Sequence, residues 1–175
     1  MSIREISHWI GGRCVPGTSG RSGPVHASTS ASIILAAGLG TRMKSNLAKV
    51  LHKLDGRPLI NHVCETASEL SPRSIYTIVG HQAEDVKAAV LNEMPEEKAG
   101  FALQKQQLGT GDAVNAAREL LENEDSTLLV LSGDVPMIKA ETLASLVKVH
   151  TESGAACSVL SVHLKDPSGY GRIIR

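Results

Sequence analysis

The sequence is poor in aromatic residues, which make up 2% of its 175 residues: Trp9, Tyr76, Phe101 and Tyr170. So few rings cannot form the stacking platforms on which single-stranded nucleic acids bind. Lysine plus arginine and aspartate plus glutamate number 18 each, so the chain also lacks the basic excess of a nucleic-acid-binding protein. We therefore expect no nucleic-acid partner, and a core built from Val, Ile, Leu and Ala.

Cysteine is also scarce, and Cys14, Cys64 and Cys157 lie far apart without any Cys-x-x-Cys spacing. The wide separation of the cysteines and the lack of a Cys-x-x-Cys motif argue against a disulfide framework and against a zinc site. They favour reduced thiols in a cytoplasmic protein. No apolar run approaches the roughly 18 residues that a membrane-spanning helix requires. Residues 1–12 also lack the apolar segment of a signal peptide, so we expect no membrane association.

The composition of the chain changes near residue 31. Residues 10–31 contain five glycines and two prolines among many Ser and Thr, so we predict an irregular or disordered lead over residues 1–31. From residue 32 to 175, short apolar runs alternate with apolar faces at helical spacing. Predicted strands cover residues 32–36, 75–79, 101–104, 128–131 and 156–162, and predicted helices cover residues 59–70, 83–94, 113–121 and 143–150.

This alternation predicts an α/β fold with a Rossmann-like, doubly wound and mostly parallel sheet. In such sheets the ligand binds beyond the carboxyl ends of the strands. The residues that immediately follow each predicted strand are therefore the candidates for a functional site.

A glycine-rich turn, Leu35-Ala-Ala-Gly-Leu-Gly-Thr-Arg-Met43, follows the first predicted strand. It matches neither the P-loop nor the dinucleotide-binding pattern. Small residues at Ala36, Ala37 and Gly38 nevertheless allow backbone N–H groups to approach a phosphate, and Arg42 and Lys49 add positive charge. Taken alone, such a turn could equally be a strand-to-helix connection with two solvated cations.

A second segment, Gln104-Lys-Gln-Gln-Leu-Gly-Thr-Gly111, follows a short predicted strand. The Gln104 amide offers a donor and an acceptor, which suits the edge of a pyrimidine, and Gly109 and Thr110 allow close approach of a flat base. A purely structural interpretation makes Thr110 the N-cap of a helix with Asp112 in its first turn. The two interpretations are compatible.

A third segment, Leu131-Ser-Gly-Asp-Val-Pro-Met137, closes a strictly apolar predicted strand. Its carboxylate, Asp134, is a candidate ligand for Mg²⁺, which proteins often hold through one or two carboxylates together with substrate phosphates. The alternative is a turn aspartate before Pro136.

These segments occur in the order found in bacterial N-acetylglucosamine-1-phosphate uridylyltransferases, and residues 32–175 resemble the N-terminal part of that family. The matching segments are residues 35–43, 49–52, 80–84, 104–111, 131–135 and 166–172. The resemblance implies a nucleotide-diphospho-sugar transferase fold and synthesis of UDP-N-acetylglucosamine, a peptidoglycan precursor, with release of pyrophosphate. The implied substrates are UTP and N-acetylglucosamine 1-phosphate, and the implied cofactor is Mg²⁺.

The resemblance also implies a role for each matching residue. Leu35, Ala36, Ala37 and Gly38 would contact the nucleotide, Arg42 and Lys49 would neutralise phosphates, and Gln104, Gly109 and Thr110 would contact uracil. Ser132, Gly133 and Asp134 would line the sugar-nucleotide site, with Asp134 on Mg²⁺, and Gly171 would approach the amino sugar. By this resemblance, the catalytic residues of nucleotidyl transfer would be Arg42, Lys49 and Asp134.

The sequence departs from the family pattern at Ala48, where proline is usual, and at Asp112, where histidine is usual. The family's domain also continues past the position of Arg175, so we expect weak or no turnover from these residues alone. Residues 3–25 resemble the N-terminus of methylmalonate-semialdehyde dehydrogenases, which suggests a fused fragment.

Three alternatives remain open at this stage. The chain could transfer another nucleotide to another sugar phosphate, it could bind nucleotide without catalysis, or it could be a chimeric sequence that does not fold. The oligomeric state is not indicated by the sequence.

Overall fold

The computed structural model describes residues 6–10, 13–16, 31–38, 40, 43–121, 127–166 and 168–169. The chain divides into two compact units, one of residues 28–140 and the other of residues 1–27 together with 141–175. Two predicted site residues, Arg42 and Gly171, lie outside the described residues.

The elements follow one another in an alternating order. The strands are β1 (Ile6–Ile10), β2 (Arg13–Pro16), β3 (Ala31–Leu35), β4 (Lys53–Leu54), β5 (Arg57–Pro58), β6 (Ser74–Val79), β7 (Ala99–Leu103), β8 (Leu128–Ser132) and β9 (Val159–Val162). The α-helices are α1 (Leu59–Glu69), α2 (Ala83–Leu91), α3 (Thr110–Asn115) and α4 (Ala140–Ser153), and 3-10 turns cover Lys49–Leu51, Glu96–Lys98 and Arg118–Leu121.

A parallel sheet in the order β7-β6-β3-β8 forms the centre of the first unit, which confirms the predicted α/β class. Its register pairs Ile33 of β3 with Tyr76 on one side and Val130 on the other. Strands β6 and β8, which come later in the chain, thus flank β3. All four strands end at the same edge of the sheet, where the predicted ligand-binding segments begin.

The core explains why the central strand is so apolar. Ile33 and Ile34 are both fully buried, and adjacent residues of a strand face opposite sides, so β3 is covered on both faces. On the Ile33 side, Ala113 and Ala117 pack with Ile78. Burying one isoleucine side chain in this core contributes on the order of 2 kcal/mol to the free energy of folding.

Helix α1 carries its buried apolar residues at positions i, i+3, i+4 and i+7, which are Ile60, Val63, Cys64 and Ala67. This spacing places them on one stripe, and α1 packs against β3 and β6. The helix ends before Ser71, which has a left-handed φ of 52°, and Pro72, which has no backbone N–H to continue it.

The Cys64 thiol is expected to be unreactive in the folded protein. Burial raises the pKa of Cys64 to about 12, and the nearby Glu93 carboxylate acts in the same direction. Because the thiolate is the reactive form, an aromatic disulfide reagent should modify exposed Cys157 within minutes and Cys64 only on unfolding. The test uses a Cys14→Ser variant, and the Cys14→Ser/Cys157→Ser protein is its control. Rapid labelling of that control protein would contradict the prediction.

The structure differs from the sequence-based prediction in the second unit. Strand β9 pairs antiparallel with β1 in a three-stranded sheet of order β2-β1-β9, whereas we expected it to continue the parallel alternation. Two short strands, β1 and β2, also lie within the lead that was expected to be irregular. The mostly apolar run at residues 156–162 predicts a strand, observed at Val159–Val162, but encodes neither its partner nor its direction. The fused-fragment interpretation of residues 1–31 stays a prediction.

Helix α3 is shorter than the predicted segment 113–121, because the helix ends at Asn115 and only a 3-10 turn follows at Arg118–Leu121. Within the described part of the chain, no helix combines the length and apolar character that crossing a bilayer requires.

Candidate functional site

A pocket of about 290 Å³ lies at the carboxyl edge of the parallel sheet. Most predicted nucleotide-site residues line it: Leu35, Ala36, Ala37, Gly38, Lys49, Gln104, Gly109, Thr110, Ser132 and Asp134. Its size is near the lower bound for small-molecule sites. The structure thus brings together segments separated by up to about 100 residues, as expected where parallel strands end at one edge.

The glycine-rich turn at the end of β3 is held on several sides. The Ala36 N–H donates to the Ile78 carbonyl at 2.9 Å, and the Gln107 side-chain amide donates to the Ala37 carbonyl at 2.8 Å. Gly40 has φ +60°, and a Cβ there would lie 2.8 Å from the Lys49 Cβ. Glycine is therefore needed at Gly40 both for its backbone conformation and for the close approach of Lys49.

Lys49 and Asp134 form an ion pair across the pocket. Lys49 begins a 3-10 turn that follows the glycine-rich segment, and Asp134 lies just beyond β8. Their side chains are 36% and 29% exposed, so both charges remain accessible to a ligand. The pocket therefore presents a cation and a carboxylate side by side, the combination that a metal–triphosphate needs.

Gly133 lies next to this pair but does not line the pocket. Its N–H donates to the Leu35 carbonyl at 3.0 Å, and an added Cβ would lie 3.0 Å from the same oxygen. Gly133 thus joins the ends of β3 and β8, and this close contact determines where Asp134 emerges. Its predicted contact with the sugar nucleotide stays a prediction.

Gln104 follows β7 and is 7% exposed. Its backbone N–H donates to the Val79 carbonyl at 2.8 Å, which continues the β6–β7 pairing by one residue. Its side-chain nitrogen donates to the Gly109 carbonyl at 3.2 Å and to Asp112 Oδ2 at 2.8 Å. The side chain that was predicted to contact a base is therefore held in one orientation.

The structural interpretation of Thr110 as an N-cap is wrong. The N-cap of α3 is Gly109, with φ 114°, and Thr110 is the first residue of the helix. A left-handed φ at Gly109 turns the chain so that Thr110 lines the pocket instead of capping the helix.

Gln107 and Ala113 also line the pocket, although no functional role was predicted for them. Gln107 follows Gln104 by three residues in the same loop. Its polar side chain just after a predicted strand is the sequence feature that could have identified it as a pocket residue. The interaction of Asp112 with Gln104 was not predicted either.

Gln82 holds the segment that carries Lys49. Its side-chain oxygen accepts a hydrogen bond from the Ala48 N–H at 2.5 Å, and Ala48 is fully buried. Gln82 itself has the left-handed conformation, with φ 53° and ψ 44°, which a non-glycine residue adopts at a cost of about 1–2 kcal/mol. The hydrogen bond compensates for this strain.

Replacing Gln82 by glycine is expected to change the free energy of unfolding by less than about 1 kcal/mol, because relief of backbone strain offsets the lost hydrogen bond. Ala48 has φ −54°, which proline can adopt, and Ala48→Pro removes the donor. In that background Gln82→Gly should be stabilising by about 1 kcal/mol. Urea denaturation of the four proteins measures this coupling, and additive effects would contradict it.

The family of MobA-like NTP transferase domains matches residues 32–170 of the chain. The bifunctional protein GlmU of Bacillus cytotoxicus is 48% identical over 144 residues, which is 82% of this chain and 30% of that protein. The chain thus spans about 30% of the length of the curated relatives that it matches. The resemblance of residues 3–25 to methylmalonate-semialdehyde dehydrogenases is not supported by these comparisons.

Solved structures agree on the fold. UDP-glucose pyrophosphorylase from Acinetobacter baumannii has a TM-score of 0.61 at 20% identity, over 73% of this chain and 54% of that chain. HddC from Yersinia pseudotuberculosis, in complex with GMP-PN, has a TM-score of 0.52 at 27% identity, over 60% of this chain and 48% of that chain.

Proposed function

Because this chain belongs to the family of MobA-like NTP transferase domains, we propose that its pocket binds UTP and carries the uridylyl-transfer chemistry that yields UDP-N-acetylglucosamine. The single observation that carries the proposal is the Lys49–Asp134 pair facing the glycine-rich turn in one pocket. The choice of uridylyl and of N-acetylglucosamine 1-phosphate comes from the resemblance of residues 32–175 to N-acetylglucosamine-1-phosphate uridylyltransferases, and the GlmU relatives that are 48% identical over 144 residues support it.

The reaction would be an in-line attack of a sugar-phosphate oxygen on the α-phosphorus of UTP, with pyrophosphate leaving. Such a step needs no covalent nucleophile, and catalysis comes from positioning and charge neutralisation. The small residues Ala37 and Gly38 give phosphate oxygens access to the backbone. The Lys49 ammonium neutralises phosphate charge, and Arg42 would add a second cation.

Asp134 fits the role of a Mg²⁺ ligand, because its carboxylate already faces a positive charge at the pocket. No group of three or more candidate metal ligands occurs among the described residues, so substrate phosphates would complete the coordination. Bound Mg²⁺ would supply neutralisation of the charge that develops on the leaving phosphates. Ser132 and Gly171 would lie on the sugar side.

Thermal melting with and without UTP–Mg²⁺ tests the binding part of the proposal. A ligand at about 100 times its dissociation constant stabilises the folded state by about 2.7 kcal/mol, so the melting temperature should rise. A parallel assay follows pyrophosphate released with N-acetylglucosamine 1-phosphate present. Binding with pyrophosphate release, even slow release, supports the proposal, whereas binding without release favours a nucleotide-binding module. A cooperative melt that UTP–Mg²⁺ does not move would contradict it.

A further inference from the structure

Both amide hydrogens of the Gln104 side chain are used within the protein. The nitrogen donates to two acceptors, the Gly109 carbonyl at 3.2 Å and Asp112 Oδ2 at 2.8 Å. Neither of these oxygens can donate a hydrogen bond when Asp112 is ionised, so the nitrogen rather than the oxygen of the amide must face them. The orientation of the amide is therefore determined by its partners.

The amide oxygen of Gln104 is left as the polar atom available to a ligand. Gln104 lines the pocket, and none of the hydrogen bonds among the described residues ends on its Oε1. A ligand that meets this side chain therefore encounters an acceptor and no donor. An acceptor matches a ring nitrogen that carries hydrogen, and it repels a ring nitrogen that carries a lone pair.

We infer that Asp112 is a positioning residue for base selection: by holding the Gln104 amide, it makes the pocket accept uracil-type rings, which present an N3–H, and reject cytosine, which presents a bare N3. The inference rests on the proposed function and adds to it a residue that controls the choice of base. Asp112 is half-buried in the first turn of α3, and a charged acceptor forms a stronger hydrogen bond than a neutral one. Without an acceptor oxygen at position 112 the amide can rotate and offer its N–H groups to cytosine.

Three ligands test the inference in the full chain by calorimetry: UTP, CTP and N3-methyl-UTP, each with Mg²⁺. For the unaltered protein we expect UTP to bind at least about 100-fold more tightly than the other two, as for sites that reject an analogue lacking a hydrogen-bonding group. N3-methyl-UTP separates the N3–H from other features of uracil. Equal binding of UTP and N3-methyl-UTP would overturn the inference.

Asp112→Ala is expected to reduce the UTP/CTP affinity ratio at least about tenfold, which corresponds to one good hydrogen bond. Asp112→Asn keeps an acceptor oxygen and should retain most of the ratio. Asp85→Asn, an exposed first-turn acid on α2, is the matched control and should leave the ratio unchanged. A purely structural role for Asp112 would weaken both nucleotides equally, and an unchanged ratio in Asp112→Ala would overturn the inference.

Nuclear magnetic resonance of the Gln104 side-chain NH₂ group provides a measurement that needs no nucleotide. We expect slow exchange of these protons with water in the unaltered protein and fast exchange in Asp112→Ala. If the unaltered protein binds no nucleotide, the proposed function fails, whereas this inference is overturned when the exchange rates of the two proteins are equal.

Discussion

Replacing Asp134 by alanine is expected to abolish the gain in UTP affinity that Mg²⁺ provides, about 10- to 100-fold, while metal-free UTP binds at least as tightly as before. Without a metal, the Asp134 carboxylate repels the triphosphate and pairs with Lys49. Its removal frees the ammonium for a phosphate. The substitution therefore weakens UTP binding when Mg²⁺ is present and does not weaken it when Mg²⁺ is absent. A general loss of stability would weaken binding under both conditions.

Titration calorimetry with excess Mg²⁺ and again with a chelator measures both affinities for the unaltered protein and for Asp134→Ala. Asp134→Asn keeps the shape of the side chain and should behave like alanine in the loss of the Mg²⁺ effect. Asp85→Asn controls for the change in net charge. If Asp134→Ala retained the full Mg²⁺ effect, Asp134 would not be a metal ligand.

Replacing Gly80 by alanine is expected to lower the free energy of unfolding by about 2–3 kcal/mol, as overpacked positions do. An added Cβ would lie 2.8 Å from the Ala37 carbonyl oxygen and 3.0 Å from the Ala37 Cβ. These are backbone and near-backbone atoms of the glycine-rich turn, so they cannot rotate away as the tip of a long side chain can. UTP affinity should fall together with stability, because Ala37 lines the pocket.

Gly111→Ala is the matched control for this stability measurement. Gly111 lies in α3, and a Cβ there meets no atom within 4 Å. Alanine should therefore leave the urea midpoint unchanged or raise it, by up to about 1 kcal/mol in free energy. If Gly80→Ala lowered the free energy of unfolding no more than Gly111→Ala, the glycine-rich turn at Ala37 would have room to accommodate the added methyl group.

The central sheet could be predicted from the sequence because each of its strands is a short apolar run followed by a glycine or polar turn. Residues 75–79 and 128–131 were predicted within one residue of β6 and β8. Helix α1 could also be predicted, because its apolar residues recur with a clear helical period. The pocket followed from the rule that ligands bind at the carboxyl edge of such sheets.

Other features depend on contacts that no local pattern encodes. The pairing of β9 with β1 joins segments roughly 150 residues apart, and neither segment specifies the other. The Lys49–Asp134 ion pair and the Gln82–Ala48 hydrogen bond likewise depend on where distant turns meet. Asp112 departs from the family pattern, but its contact with Gln104 depends on the backbone geometry at the start of α3.

The position of β3 between β6 and β8 has a consequence for the order of folding during synthesis. Residues 31 and 128 are directly paired, so a contact over roughly 100 residues of chain must close before the pocket is complete. Translation proceeds at about 5–20 residues per second, so β3 waits several seconds for its second neighbour. During that interval the edge of β3 that β8 will cover stays exposed, and an exposed strand edge can pair with another chain.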